Sequence, residues 1–316
     1  MNKLIHVTDP LTGAIFSGEK FNAKNKRIVC FCFNKNVVPE VLAEFLILVL
    51  KHYPPSEHSY VLILDGKDGS ESRLDLVWKH NLGKAADYHV IRCDHSPTPF
   101  SVKHGVYVLH EFIDYAQDNI ALYLDTDMWC QSNMFDIMDN YWHMVSCFAI
   151  CAEQCYPKYS PSLWDNLYDK ETSVYSEALR TIDSNLELPT KFQNIDNGYF
   201  PLVNTGVMMF QVSVMKNLGD ILQILQPLIN ALDLKRNPYL EQLAVNVGLA
   251  AMSHWVTLID PKFNYQLQNP HNEVFLGEGS ETMVDIRGKK VHNVHFNGKL
   301  GRRRYTTINR CFRFIK

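Results

Sequence analysis

The stretch IALYLDTDMWC, from Ile120 to Cys130, begins as an apolar and aromatic run and then presents two aspartates, Asp125 and Asp127. Such a run is typical of a buried strand that reaches the edge of a sheet. On a strand, residues i and i+2 point to the same side about 7 Å apart, and a bend lets both approach one cation. The alternative interpretation is that both aspartates are solvated turn residues.

Three similar apolar runs precede this stretch. RIVCFCF (27–33), SYVLILDG (59–66) and YHVIRCD (88–94) predict buried strands, and helices are predicted over 39–53, 72–83 and 101–116. Strands alternating with helices indicate an α/β fold, a parallel sheet with covering helices. Ligands of such sheets bind at the carboxyl ends of the strands, where Asp125 falls.

The second half of the chain is less regular. A strand is predicted over 199–215, with a polar turn at Asn204–Gly206 that interrupts it. A helix is predicted over 219–234, where Pro227 favours two short helices instead of one. A further helix over 238–250 and strands over 255–260 and 289–296 complete a single domain with a β-rich second half.

The net charge of −3 is unevenly distributed over the 316 residues. No acidic residue follows Asp285, whereas ten Lys and Arg lie between Arg287 and Lys316, so the first 285 residues carry −13. This asymmetry predicts an anionic partner at the C-terminal end.

The composition favours a cytosolic protein. No secretory signal is evident, and the longest apolar run, VLAEFLILVL, is only ten residues long and contains Glu44. Eight cysteines in so long a chain predict reduced thiols instead of a disulfide framework.

Four segments carry a family resemblance: YLDTDM (123–128), VNTGVMMF (203–210), LEQLAVN (240–246) and VHNVHFNGK (291–299). In this order they resemble the metal-dependent glycosyltransferases of the GT-A fold, in particular the family 8 group of bacterial galactosyl- and glucosyltransferases and glycogenin. The resemblance implies a Rossmann-like, mixed and mainly parallel sheet in a catalytic domain over 27–299. Residues 27–130 would be its nucleotide-binding half and 131–299 its acceptor-binding half, between an N-terminal extension (1–26) and a basic, aromatic tail (300–316).

The same resemblance implies a metal site. Asp125 and Asp127 match the Asp-x-Asp that holds Mn²⁺ and the ribose–diphosphate, and His295 matches the third protein ligand. Neutral imidazole and carboxylate oxygens suit Mn²⁺, and carboxylates also suit Mg²⁺. The alternative for His295 is a hydrogen-bonded core histidine.

Further residues match the donor site of the family. We expect nucleotide or donor binding by Phe33, Asn34, Asp65, Lys103, Asp125, Thr126, Thr205, Gly206, Gly298, Lys299 and Arg302. We expect catalytic roles beside the donor sugar for Asn204, Glu241 and Gln242. Glu241 and Gln242 could instead form the exposed stripe of their helix.

Two departures from the family pattern stand out. The lysine of the HFNGK segment, Lys299, comes one residue after Gly298, and position 301, where the family has its lysine, is Gly. Arg302 is the candidate substitute for holding phosphate. Glu241 stands where the family has Asp.

The resemblance implies transfer of a hexose from a nucleoside diphosphate sugar, UDP-linked, to a glycan or lipid-linked acceptor with retention of configuration. An inverting enzyme would need a carboxylate base facing the acceptor, for which Glu153 and Asp196 are the candidates. Sequence leaves this choice open.

The tail GKLGRRRYTTINRCFRFIK mixes basic and aromatic residues. It favours docking on an anionic membrane surface, and hence a peripheral location on the inner face of a membrane. A surface strand or helix that covers the core is the alternative. No nucleic-acid recognition motif accompanies the charge, so nucleic acid is not an expected partner.

The sequence disfavours three other functional classes. Haloacid-dehalogenase-type phosphatases also place Asp-x-Asp after a strand, as Asp-x-Asp-x-Thr/Val near the start of the domain. Here the fifth position is Trp129, and three predicted strands come first. A sugar nucleotidyltransferase would carry a Gly-rich basic loop after its first strand, whereas CFNKNVVPE contains no glycine. A catalytically silent nucleotide- or glycan-binding relative would be expected to have lost metal ligands, and Asp125, Asp127 and His295 are all present.

Overall fold

The computed structural model describes residues 3–33, 37, 39–66, 87–97, 101–114, 119–139, 148–152, 203–231, 245, 248–249, 252, 255–269, 272–277 and 282–296. The helix predicted over 72–83, most of the helix predicted over 238–250 and the tail 300–316 lie outside these residues. Within the described ranges, no helix combines the length and the apolar composition that a bilayer crossing requires.

The described residues form fourteen strands. In chain order these are β1 (Leu4–Thr8), β2 (Ile15–Glu19), β3 (Arg27–Phe33), β4 (Ser59–Asp65), β5 (Tyr88–His95), β6 (Ile120–Leu124), β7 (Met128–Cys130), β8 (Phe148–Ala152), β9 (Val203–Gln211), β10 (Val256–Ile259), β11 (Tyr265–Gln266), β12 (Val274–Leu276), β13 (Met283–Asp285) and β14 (Asn293–His295). Described helices are α1 (Pro39–His52), α2 (Leu109–Phe112), α3 (Met134–Met138) and α4 (Val212–Ala231), with 3₁₀ helices at Ser101–Val106 and Pro261–Asn264.

Nine strands form one central sheet in the order β1-β2-β5-β4-β3-β6-β9-β8-β10. The pairings β5–β4, β4–β3, β3–β6 and β8–β10 are parallel, and β9 is antiparallel to both of its neighbours. Strand β2 is likewise antiparallel to β1 and β5, so seven strands point one way, and β2 and β9 run against them. The predicted α/β class with a mixed, mainly parallel sheet is confirmed.

The central strands are buried on both faces, which explains their continuous apolar sequence. Val29 and Phe31 of β3 pack in one cluster with Phe45 of α1. Ile28 of the same strand belongs to the cluster on the other face, together with Leu222 of α4. Because side chains alternate across a strand, one short run supplies both layers of the core.

The helix predicted over 101–116 is wrong in detail. The chain forms the 3₁₀ helix Ser101–Val106 and, after two turn residues, the short helix α2. Gly105 lies so close to the sheet that a Cβ there would be 2.6 Å from Cγ2 of Ile63 and 3.0 Å from Cε1 of Phe16. Because Gly105 packs closely on the sheet, this segment forms a 3₁₀ helix and not a regular α-helix.

The segment 199–215 also differs from the prediction. Strand β9 continues through Asn204–Gly206 without the predicted interruption. Helix α4 begins directly after the strand, at Val212. The pairing partner of Ile150 is Met208 but that of Cys151 is Asn204, so β9 carries an irregularity at the polar residues. Helix α4 runs through Pro227 as one helix, with Leu218 and Leu222 fully buried on its core side.

A small second sheet, in the order β11-β14-β7, lies at the end of β6. Strands β7 and β14 are antiparallel and pair Met128 with His295. The Gln131 side chain, which follows β7, donates to the carbonyl oxygens of Val291 and Met283 at 2.6 and 3.2 Å. These hydrogen bonds hold the segment that contains Met283 and Val291 next to the Asp-x-Asp stretch.

Candidate metal centre

Asp125 and Asp127 lie on the turn between β6 and β7, at the carboxyl edge of the central sheet. The buried run of β6 ends at Leu124, and the backbone N–H of Asp125 donates to the carbonyl of Gly206 at 2.9 Å. The backbone N–H of Phe296 donates to the carbonyl of Asp127 at 2.9 Å. Both aspartates are thus held by strands that come from distant parts of the sequence.

His295 completes the group. Its Nε2 lies 3.2 Å from Oδ1 of Asp127 and 3.6 Å from Oδ2 of Asp125, and the side chain is almost fully buried. Among the described residues, these three form the one group of His, Cys, Asp and Glu whose ligand atoms could hold a metal ion, all within 4.8 Å of one another. The predicted convergence of Asp125, Asp127 and His295 is therefore present.

The spacing of the three side chains fits a small divalent cation. Two ligands about 2.1 Å from one ion at a right angle lie roughly 3.0 Å apart, close to the spacing between these atoms. Two carboxylates and an imidazole are suitable ligands for Mn²⁺ and related ions. Asp125 and Asp127 are 25% and 35% exposed, so room remains on the solvent side for further ligands.

The electrostatics of the group favour a positive charge. Burial lowers the pKa of His295, but the carboxylates of Asp127 and Asp125 outweigh burial and raise the pKa above its ordinary value. The charge of Lys103 also lowers this pKa, so the two carboxylates outweigh both burial and the ammonium at the His295 ring, and such negative surroundings suit a cation.

Lys103 approaches the group from the 3₁₀ helix Ser101–Val106. Its Nζ lies 3.3 Å from Oδ1 of Asp125 and donates to Oγ1 of Thr205 at 2.9 Å. The ammonium also lies 5.1 Å from the centroid of the Tyr123 ring. The structure thus brings Lys103 and Thr205, both predicted donor-site residues, to the metal centre.

The Tyr123 side chain forms a hydrogen bond with Asp125, a contact that was not predicted from the sequence. Its hydroxyl donates to Oδ1 of Asp125 at 2.7 Å and lies 3.0 Å from Sγ of Cys32. Burial, followed by the charge of Asp125, raises the pKa of Tyr123 well above its ordinary value, so the phenol stays a donor. The i, i+2 spacing on a strand was the available signal.

Asn204, Thr205 and Gly206 face the metal centre from β9. Asn204 is 6% exposed and Thr205 is 1% exposed. A Cβ on Gly206 would lie 2.8 Å from Nδ1 of His295 and 2.9 Å from Oδ1 of Asn204. The absence of a side chain at Gly206 therefore makes room for the His295 ring.

Asn264 and Gln266 are two further polar residues that the sequence did not single out. Both are fully buried, and Oδ1 of Asn264 lies 3.0 Å from Nδ1 of His295. Gln266 accepts from Nδ2 of Asn204 through Oε1 at 3.4 Å. A signal was available in the stretch PKFNYQLQ, where amides alternate with apolar and aromatic residues as on a strand with a buried polar face.

Three other predicted donor residues lie along the same edge of the sheet. Phe33 ends β3, with its side chain buried in the core, and Asp65 ends β4. Thr126 lies between the two aspartates and is buried. Their binding roles stay predictions.

The remaining predicted site residues lie outside the described part of the chain. These are Asn34, Glu153, Asp196, Glu241, Gln242, Gly298, Lys299 and Arg302.

Comparison with known proteins gives a structural likeness only. No family model and no curated protein sequence matches the chain. An active-site mutant of LgtC is 14% identical and has a TM-score of 0.50, with 86% of this chain and 88% of that chain covered. Mouse xyloside xylosyltransferase 1, in its apo form, is 14% identical with a TM-score of 0.49, and 76% of this chain and 87% of that chain are covered. The galactosyltransferase LgtC in complex with donor and acceptor sugar analogues is 12% identical with a TM-score of 0.45, at 86% and 87% coverage.

The likeness to the LgtC mutant, at a TM-score of 0.50 and over 86% of this chain, shows a shared fold. The predicted GT-A fold is confirmed.

Proposed function

We propose that this chain, which has the GT-A fold of LgtC, is a metal-dependent glycosyltransferase. It would transfer a hexose from a UDP-linked sugar to an acceptor hydroxyl. The observation that carries the proposal is the convergence of Asp125, Asp127 and His295 at the carboxyl edge of the sheet. That edge is where α/β sheets bind ligands.

The three side chains would hold Mn²⁺ or Mg²⁺. A bound divalent ion supplies positive charge that stabilises the departing nucleoside diphosphate. Asp125 and Asp127 would bind the ion through carboxylate oxygens, and His295 would bind it through Nε2, which faces both aspartates.

Lys103 would hold the donor diphosphate. Its ammonium lies beside Asp125 and Thr205, next to the position of the ion, and only 15% of its side chain is exposed. A cation that is partly shielded from water attracts a phosphate more strongly than one in solvent. Lys299 and Arg302 would add to this grip from the segment after β14.

The rest of the proposal comes from the family resemblance. Glu241, Gln242 and Asn204 would lie beside the donor sugar, and the reaction would retain configuration. The acceptor would be a glycan or a lipid-linked sugar, on the side of Glu153 and Asp196. The basic tail would bring a cytoplasmic enzyme to the inner face of a membrane.

A thermal-shift scan tests the proposal. UDP, GDP, CDP and ADP would each be added with Mn²⁺ or with EDTA. A ligand at about 100 times its Kd adds roughly 2.7 kcal/mol of stability. With an unfolding entropy of about 2.1 cal/mol/K per residue, this raises the Tm of the 316-residue chain by roughly 4 °C. We expect this shift with UDP and Mn²⁺ only, and we expect the Asp127→Ala variant to lose it.

The matched control is Asp114→Asn, which removes an exposed carboxylate paired with Lys20. This variant should keep the full shift with UDP and Mn²⁺. If no nucleotide stabilises the wild-type protein in the presence of Mn²⁺, the glycosyltransferase proposal is wrong. A shift without turnover of any UDP-sugar would indicate a silent binding protein.

A further inference from the structure

A chain of buried hydrogen bonds begins at Gly206 and ends at the metal centre. The backbone N–H of Gly206 donates to Oδ1 of Asn204 at 2.9 Å. A backbone N–H can only donate, so the atom of Asn204 that faces it must be the carbonyl oxygen. The amide of Asn204 is therefore fixed in one orientation by the main chain.

Asn264 is the next group in this chain. Its amide lies 2.8 Å from the same Oδ1 of Asn204. An oxygen that accepts needs a donor opposite it, so Nδ2 of Asn264 faces Asn204. The other end of the Asn264 amide, the carbonyl oxygen, then faces His295.

The Nδ1 atom of His295 lies 3.0 Å from Oδ1 of Asn264, so the orientation of the Asn264 amide decides what this nitrogen can do. A carbonyl oxygen accepts only, so Nδ1 must carry a hydrogen. The lone pair of the neutral ring is then on Nε2, the atom that faces Asp127 at 3.2 Å and Asp125 at 3.6 Å.

Burial makes this arrangement hard to replace with water. Asn264 is fully buried, and Asn204 and His295 are 6% and 3% exposed. A buried amide turned the wrong way would place two oxygens or two N–H groups against each other, which costs about 1–3 kcal/mol per unsatisfied group. The network therefore has one favourable orientation.

We infer that Asn264 is a positioning residue that sets the tautomer of His295 and presents Nε2 to the metal ion. The inference rests on the proposed metal-dependent function. Groups that orient a metal-binding histidine typically change metal affinity by 10–100-fold when they are removed. Asn264 would act through His295 and would not contact the ion itself.

Two variants of Asn264 test the inference. Asn264→Leu has a similar shape but neither donates nor accepts, so Nδ1 of His295 loses its acceptor. Asn264→Asp keeps an oxygen for Nδ1 but replaces the donor to Asn204 with a second oxygen, so a carboxyl group then faces Oδ1 of Asn204. The control is Ser59→Ala, which removes a fully buried hydroxyl at the start of β4, the end of that strand away from the metal centre. The described hydrogen bonds of this hydroxyl are to the backbone N–H of Asn25 and to Oδ2 of Asp87.

The first readout is the Kd for Mn²⁺ of the full chain, measured by electron paramagnetic resonance of free Mn²⁺. We expect Asn264→Leu to bind Mn²⁺ 10–100-fold more weakly. Ser59→Ala should bind like the wild type, even if it melts at a lower temperature. Wild-type affinity in Asn264→Leu would overturn the inference.

The second readout is independent of the metal. Long-range ¹H–¹⁵N spectra of ¹⁵N-histidine-labelled, metal-free protein, at a pH where the ring is neutral, report which nitrogen carries the hydrogen. We expect the Nδ1–H form for wild type and Asn264→Asp, and a mixture of forms for Asn264→Leu. An Nε2–H form in the wild type would refute the inference.

The two readouts separate the inference from the proposed function. If the wild type binds no Mn²⁺ but His295 has the Nδ1–H form that Asn264→Leu loses, the metal proposal fails and the role of Asn264 in positioning the ring stands. If Asn264→Leu does not fold, the metal affinity and tautomer of Asn264→Asp still test it.

Discussion

Gly206 shows how a single residue links the backbone to the metal centre. Its N–H orients Asn204, its carbonyl accepts from the N–H of Asp125, and its missing side chain leaves space for the ring of His295. A glycine is needed here because of close approach, since Nδ1 of His295 would lie only 2.8 Å from a Cβ. Gly206 thus takes part in two hydrogen bonds and one close contact that shape the site.

The Gly206→Ala substitution should therefore damage the site. Its methyl group would force His295 or Asn204 to move, and overpacking of this kind costs about 1–3 kcal/mol. We expect a lower free energy of unfolding in urea and weaker Mn²⁺ binding.

Gly219→Ala is the matched control for that experiment. Gly219 lies within α4, and a Cβ there would meet nothing within 4 Å. Alanine in a helix interior is more favourable than glycine by about 0.5–1 kcal/mol, so this variant should be slightly more stable. Equal effects of both substitutions would contradict the close contact at Gly206.

At the scale of elements, the β1–β2 hairpin supports the 3₁₀ helix that carries Lys103. Asp9, in the turn of the hairpin, lies 3.0 Å from Nδ1 of His104, and both side chains are 1% exposed. Asp9 also accepts from the backbone N–H of Thr12 at 2.8 Å. The hairpin is thereby tied to the element that places Lys103 beside Asp125.

This pair predicts a pH dependence of stability. Burial raises the pKa of Asp9, but His104 and the hydrogen bonds from Thr12 more than offset it, so the pKa is below the ordinary value. A carboxyl group with a lowered folded pKa contributes stability above its unfolded pKa of about 3.9 and loses it as the pH falls through the folded value.

We therefore expect Asp9→Asn to be less stable than the wild type at pH 5, with a difference that shrinks as the pH falls from 5 towards 3. Urea unfolding of both proteins across this range measures the difference. Asp114→Asn, which changes an exposed side chain, should differ from the wild type by less than about 0.5 kcal/mol at pH 5. A constant difference between Asp9→Asn and wild type would argue against an ionised Asp9 in the folded protein.

At the scale of the whole molecule, stability is concentrated in the middle of the central sheet. Strand β3 pairs on both sides with parallel strands, and its residues supply both hydrophobic clusters. Strand β1 lies at the end of the sheet and has exposed residues at alternate positions. The candidate metal centre lies where the well-packed strand β6 ends, so its aspartates start from a firmly held part of the sheet.

Hydrogen exchange should reveal this gradient. Amides that open only with global unfolding exchange slowest, and those of edge strands exchange through local opening. We expect peptides covering β3, β4 and β6 to retain protons far longer than a peptide covering β1. Slow exchange of β1 equal to that of β3 would show that the sheet opens as one unit.

The sequence by itself predicted the central strands and the place of the aspartates. Apolar runs such as RIVCFCF and IALYLD encode strands locally, because each run can form a core only if it is buried on both faces. Asp125 ends such a run, and this alone placed it at the ligand-binding edge. The motif order added His295 as a partner through family resemblance.

Only the tertiary structure decided how these residues are held. Tyr123, Lys103 and Asn264 meet the metal centre through contacts that depend on how β14, the 3₁₀ helices and the irregular strand β9 pack. Local sequence carries no record of such distances, since Asn204 and Asn264 are 60 positions apart and still share a hydrogen bond. The helix predicted over 101–116 is wrong for the same reason. Gly105 packs against Ile63, which is distant in sequence, and the local sequence does not encode this contact.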